Sequence, residues 1–284
     1  MITDKKSPKI RTVLVNGVES DQIALADRGF QYGDGLFETI AVDHGVPEFL
    51  DRHLHRLRGG CARLAIAYPG DEILSQEAIR LSRDHATGVL KIIITRGAGG
   101  RGYRIQKDAR PTRVLAIYPR SELTADLQRS GIRALLCKYR LGINPALAGI
   151  KHLNRLEQIL ARSEWSDPGI HEGLMLDYEA KVIEGTMTNL FLVRAGRLLT
   201  PDLSGSGVAG IMRALILESA ESLGIAVAVR PIQVDELTQA DELFVTNSVI
   251  GIWPIVELEQ FHFEIGPVCR SLQTRIAERR KENT

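Results

Sequence analysis

The sequence predicts a two-domain α/β (α+β) fold, and three observations predict it. Apolar residues switch repeatedly between the two-residue period of a strand and the three-to-four-residue period of a helix. Strand-like runs in the second half come in hairpin pairs, as antiparallel sheet requires. A polar stretch, Arg120 to Gly131, separates the halves and places an N-terminal domain at 1–122 and a C-terminal domain at 123–284.

The first ten residues read as a loose tail. Thr12–Val15 and Gln22–Leu25 read as a strand pair around the turn signal Asn16-Gly17. Gly33-Asp34-Gly35 punctuates the chain before the run Leu36–Val42. Leu50, Leu54, Leu57, Cys61 and Leu64 then mark an amphipathic helix. A helix near 75–87 precedes strands at Val89–Thr95 and Thr112–Tyr118. In the second half the spacing predicts a strand at 132–138, an irregular segment at 142–150 and a helix from about 153. Hairpin pairs follow at 173–183 and 189–199, the latter turning at Ala195-Gly196. A helix at 209–222 is closed by Gly224, strands lie at 225–230 and 242–248, and an amphipathic helix starts near 266.

The chain has 284 residues and a formal net charge of +1, so no long-range field recruits nucleic acid or an acidic membrane. Any anionic ligand needs a few well-placed cations. Cys61, Cys137 and Cys269 lie far apart without C-x-x-C spacing, which fits reduced thiols in a cytoplasmic protein. The N-terminus lacks the apolar stretch of a signal peptide. Leu243–Leu258 is broken by Thr246, Asn247, Ser248, Gly251 and Pro254, and reads as a buried strand and turn, not a membrane span. No histidine spacing suits a metal: His53 and His55 point to different sides of one helix.

Gly97-Ala98-Gly99-Gly100-Arg101-Gly102 matches G-x-G-x-x-G, but Tyr103–Pro111 shows no helical period to receive a pyrophosphate. The segment reads instead as a Gly-rich loop carrying Arg101 and Tyr103 towards an anion. Lys151, between the turn Ala148-Gly149-Ile150 and a helix start, has two readings. One is a solvated surface lysine; the other is an amine that burial and the helix dipole keep neutral enough to form an imine. Glu184, in Val182-Ile183-Glu184-Gly185-Thr186-Met187-Thr188-Asn189, is a strand-end charge or the partner of a pyridine nitrogen. Gly207–Arg213 is an ordinary helix start or a cradle of amides for a phosphate.

Taken together, Asp27–Glu38, His53-Leu54-His55-Arg56-Leu57, and the segments around Lys151, Glu184 and Gly207 resemble the fold-type IV pyridoxal-phosphate enzymes. That group holds branched-chain aminotransferases, D-amino-acid transaminases and aminodeoxychorismate lyases. The resemblance implies a small N-terminal α/β domain, a larger pseudo-barrel-like C-terminal domain, pyridoxal 5'-phosphate in the cleft, and a homodimer without nucleic acid or membrane. It assigns Lys151 to the imine, Arg56 to the cofactor phosphate and Glu184 to the ring nitrogen. Ile211 and Met212 supply phosphate-binding amides, and Asn247 and Ser248 further phosphate contacts.

Two stretches, Arg140–Pro145 running into Leu147–Gln158, and Thr95–Tyr103, are similar to the lyase branch. That branch converts 4-amino-4-deoxychorismate to 4-aminobenzoate and pyruvate, on the route to folate. Its substrate is a dicarboxylate, for which Arg101 with Tyr103 is the first candidate clamp and Arg96 the second, the latter also a possible loop anchor. Gly185-Thr186-Met187-Thr188 is closer to the transaminase style and keeps an aminotransferase as the alternative.

Overall fold

The structure is a computed structural model that describes residues 12–121 and 124–283. The tail expected over the first ten residues lies outside the described residues. Two compact units emerge: one of residues 1–121 with 151–154 and 283–284, the other of 122–150 with 155–282.

The first unit opens with β1 (Thr12–Val15) and β2 (Val18–Glu19). Asn16 and Gly17 both take positive φ, 52° and 88°, so a two-residue turn pairs Val15 with Val18 at once. That geometry overturns the strand expected at Gln22–Leu25: the partner strand must start directly after so tight a turn. A short α1 (Arg28–Tyr32) is capped by Asp27, whose Oδ1 accepts from Gly29 N. Then come β3 (Gly35–Asp43), β4 (Val46–Pro47), α2 (Leu50–Arg63), α3 (Asp71–Ser82), β5 (Thr87–Thr95) and β6 (Thr112–Tyr118). Helix α3 begins earlier than the period suggested, with Asp71 and Glu72 favourably placed in its first turn. Among the described residues this unit holds one six-stranded sheet of order β2-β1-β6-β5-β3-β4. Its core face alternates Leu36, Ile40, Leu90, Ile92, Ile94, Leu115 and Ile117, all buried, and α2 packs on β3 with its Leu54, Leu57 and Cys61 stripe.

The second unit contains α4 (Thr124–Ser130), β7 (Ile132–Leu141), α5 (Leu156–Arg162), β8 (Ile170–Asp177), β9 (Lys181–Gly185), β10 (Asn189–Arg194) and β11 (Arg197–Pro201). It continues with α6 (Ile211–Ser222), β12 (Val227–Arg230), β13 (Ile232–Gln233), α7 (Val234–Thr238), β14 (Glu242–Asn247), β15 (Gly251–Leu258), β16 (Phe261–His262) and α8 (Pro267–Asn283). The stretch Arg120–Gly131, read as polar connector, folds into α4 because Leu127 packs on the core and Gln128 Nε2 donates to Ile250 O at 2.6 Å. The helix expected from 153 begins at Leu156. The strand order is β12-β11-β10-β14-β15-β7-β8-β9-β13, with β16 on β15. Strands β12 and β13 end this ladder at opposite sides, yet only Pro231 separates them in sequence. The sheet therefore curls until its margins nearly meet, a pseudo-barrel. Leu174, Leu176, Leu190, Leu192, Leu243, Val245 and Ile255 fill its interior.

Candidate active site

In the first unit the site is built on β3. Glu38 lies in the apolar row of that strand: it pairs with Ile92, between the pairs Leu36–Ile94 and Ile40–Leu90. A carboxylate buried there needs partners. Helix α2 supplies two from adjacent turns, His53 and Arg56. His53 Nδ1 lies 2.6 Å from Glu38 Oε2, and Arg56 donates Nε to Oε1 at 2.8 Å and Nη2 to Oε2. Burial alone would raise the Glu38 carboxyl, but Arg56 and His53 outweigh it and hold it down at about 2. Burial lowers the His53 ring, against the pull of Glu38. The neutral imidazole then donates from Nδ1, since an ionised carboxylate only accepts. Its Nε2 is buried with no hydrogen-bond partner among the described residues. Sequence reading gave Arg56 a role and missed Glu38, which fixes the plane of its guanidinium.

Lys151 joins the same strand. Phe37 N donates to Lys151 O at 2.9 Å, Leu36 bridges His152, and Leu153 N donates to Gly35 O at 2.9 Å. Gly35 allows this approach: a Cβ there would sit 2.5 Å from Ile94 O and 2.8 Å from Leu153 Cδ1. The extended backbone at 151–153 is the reason α5 starts late. Lys151 is half-buried, with Nζ 4.4 Å from the centroid of the Phe37 ring. A second ammonium, Lys91 Nζ, lies 5.2 Å from the same centroid, and burial lowers its pKa. Lys91 was read only as part of a strand. Its signal was a charge alternating with Val89 and Ile93 on the face of β5 away from the core.

The Gly-rich segment 97–102 is a loop, as its lack of helical period predicted. Gly97 is obligatory: its φ is +86° and a Cβ would meet Arg110 O at 1.8 Å. Arg96 is buried; its fork grips both oxygens of Asp34 at 2.7 and 2.9 Å and also donates to Ala65 O and Leu64 O. With these bonds Arg96 ties the start of the loop to Asp34 and to the end of α2. Arg28 reinforces the anchor through Asp34 and Gly102 O. Beyond these ties the loop presents Arg101 and Tyr103 to solvent, Tyr103 stacking edgewise on Tyr32 at 5.6 Å.

In the second unit Glu184 is buried near the end of β9, its Oε2 accepting from Val208 N at 2.8 Å. Asn189 Nδ2 donates to Val208 O at 2.9 Å, so both sides of one residue are held. Two residues on, α6 opens at Gly210 without a side-chain cap, leaving the first amides, Ile211 and Met212 among them, outside the intrahelical ladder. A Cβ on Gly210 would lie 2.0 Å from Asn189 Oδ1, so glycine is required there. Asn247 closes its own turn: Oδ1 accepts from Val249 N and Ile250 N, both at 2.9 Å, and Nδ2 donates to Met187 O at 3.2 Å. These bonds hold the turn that sets Ser248 beside Asn247. Arg155 is a further cation that sequence reading left aside; burial lowers its pKa, and the fields of Glu184 and Glu157 oppose that shift.

The family model for class IV aminotransferases matches residues 35–258. An aminodeoxychorismate lyase of Vibrio harveyi is 36% identical over 263 residues, covering 91% of this chain and 97% of that one. The crystal structure of 4-amino-4-deoxychorismate lyase from Pseudomonas aeruginosa superposes with a TM-score of 0.90 at 46% identity, covering 94% of this chain and 98% of the other. A putative branched-chain-amino-acid aminotransferase of Methanocaldococcus jannaschii is 30% identical, covering 94% and 95%. The chain belongs to the class IV aminotransferase family.

Proposed function

We propose that this protein is a pyridoxal-phosphate-dependent lyase that converts 4-amino-4-deoxychorismate into 4-aminobenzoate and pyruvate. The observation that carries the reading is Lys151 itself, a half-buried amine tied to β3 and resting on an aromatic ring beside a second ammonium. The near full-length similarity to two lyases favours this branch over the transaminases.

Pyridoxal phosphate, when bound, supplies an electron sink for charge that develops at the substrate carbon bearing the amine. The residues present suit it. Arg56 is a cation with its plane already fixed, the start of α6 offers uncapped amides for a phosphate, and Glu184 is a buried carboxylate for a ring nitrogen. Lys151 Nζ takes the proton from C4 of the substrate and returns a proton to the enolpyruvyl oxygen as the C3–O bond breaks. The released enol becomes pyruvate, and aromatisation of the ring drives the step. Arg101 with Tyr103, and Lys91, are assigned to the substrate carboxylates. Holding C4–H in line is a positioning task, so loss of a clamp lowers rate more than affinity.

We place the reaction in the cytoplasm, on the route to folate, in a homodimer. Supporting the dimer, α5 exposes Leu156, Ile159 and Leu160 on one face. Among the described residues no helix is long and apolar enough to cross a membrane.

The test is incubation with aminodeoxychorismate and no keto acid, following pyruvate through lactate dehydrogenase. Pyruvate release is expected, and Lys151→Ala abolishes it while far-UV circular dichroism stays unchanged. No pyruvate, with amino transfer to 2-oxoglutarate from an amino acid, would sink the lyase reading and install an aminotransferase.

A further inference from the structure

Glu172 is fully buried on β8 and has no part in the chemistry above. Its two oxygens accept five donors. Oε1 takes Gly173 N at 2.9 Å, Thr186 N at 3.0 Å and Thr186 Oγ1 at 2.6 Å. Oε2 takes Thr188 Oγ1 at 2.8 Å and Met187 N at 3.4 Å. Four of the five come from the loop between Glu184 and Asn189, which Gly185 N and Thr188 O close on themselves at 2.7 Å. The fit leaves no slack: a Cβ on Gly185 would stand 2.2 Å from Thr188 Oγ1 and 2.8 Å from the Glu172 carboxyl.

That loop is tied to both segments assigned above to phosphate. At its ends Glu184 and Asn189 hold the N–H and C=O of Val208, just before the open start of α6. At its tip Met187 O accepts from Asn247 Nδ2, next to Ser248. We propose that Glu172 is a positioning residue which, through loop 185–188, sets the spacing of the Val208–Met212 amides and the Asn247–Ser248 turn for a phosphate monoester. The inference rests on the cofactor reading for the identity of that ester, and on this unit's own hydrogen bonds for the rest.

An amide at 172 cannot replace the carboxylate. One of its ends is an NH2 group, which confronts an N–H or O–H donor where an acceptor is needed. The loop these donors belong to is bonded to Val208, before the open start of α6, and to Asn247, beside Ser248, so the defect falls on phosphate recognition more than on imine formation.

The experiment titrates the full chain with pyridoxal phosphate and, separately, with pyridoxal, which lacks the phosphate, following absorbance beyond 400 nm. Glu172→Gln is expected to weaken pyridoxal phosphate roughly tenfold, the scale of one lost charge-assisted hydrogen bond, and to leave pyridoxal nearly unchanged. Thr188→Ala is expected to act the same way and Thr188→Ser to restore affinity, which keeps the inference testable should the Glu172 variant fold poorly. Equal weakening for both ligands, or no change in either variant, overturns it. Failure of the wild type to bind pyridoxal phosphate at all would instead sink the cofactor reading. Wild-type binding without pyruvate release would sink only the lyase assignment.

Discussion

Two buried carboxylates solve the same problem in opposite ways. Glu38, in the first unit, is compensated by charge: a guanidinium fork and an imidazole meet it, and its carboxyl is held at about 2. Glu172, in the second, meets only hydroxyls and amides, and burial raises its carboxyl against their pull. The first arrangement fixes the plane of a guanidinium. The second organises a loop that carries no cation at all. A buried acid is therefore a framing device in both units, but only at Glu38 does its removal take a counter-charge from a cation.

That difference sets the largest expected effect. Glu38→Ala removes the carboxylate that both Arg56 and the buried His53 bond, and should cost about 3 kcal/mol, the low end for breaking a buried pair because Arg56 is only half-buried. Glu172→Ala leaves neutral donors unmatched and should cost less, about 1–3 kcal/mol. Urea unfolding of both variants measures this; an equal or reversed ranking would break the comparison.

The pH dependence sharpens it. Because the folded value of Glu38 lies below its ordinary 4.5, the wild type's advantage over Glu38→Gln is present above pH 4.5 and lost as pH falls towards about 2. Glu172 is raised above 4.5, so its ionisation opposes folding; the wild type's standing against Glu172→Gln is best below that pH and declines as pH rises. Stability differences recorded by denaturant titration across the acid range should slope in opposite directions. Parallel slopes would mean that the two carboxylates share one ionisation state.

The smallest effect concerns orientation alone. Arg56→Lys keeps a positive charge near Glu38 but loses the planar fork, and cofactor affinity is expected to fall by about tenfold with little change in stability. Unchanged affinity would show that charge suffices and that the fork held by Glu38 is idle.

Much of the frame was legible because periodicity reports burial. The Leu54, Leu57 and Cys61 stripe marked α2, and alternation marked β5 and β6. Asn16-Gly17 marked a turn, but its tightness, which moves the partner strand to Val18, became plain only with both φ angles. Glu38 was within reach: an acid at an even position between Leu36, Ile40 and Val42 demands a cation, and His53 and Arg56 stand three apart on the next helix. Glu172 was not. Four of its five donors lie 14 to 16 residues along the chain, and no local pattern forecasts that Thr186 and Thr188 will turn back upon it. The turn-closing bonds of Asn247 were hidden for a related reason, since an amide side chain near a strand end serves a turn as readily as a ligand.

The single proline between the two outermost strands of the larger sheet has a consequence for how that sheet is assembled. Partners that lie farthest apart in the ladder are nearest neighbours along the backbone, so the last seam needs almost no search through chain conformations. Both margins are brought together by the covalent link that joins them, and neither is left as a long template for a stranger's strand.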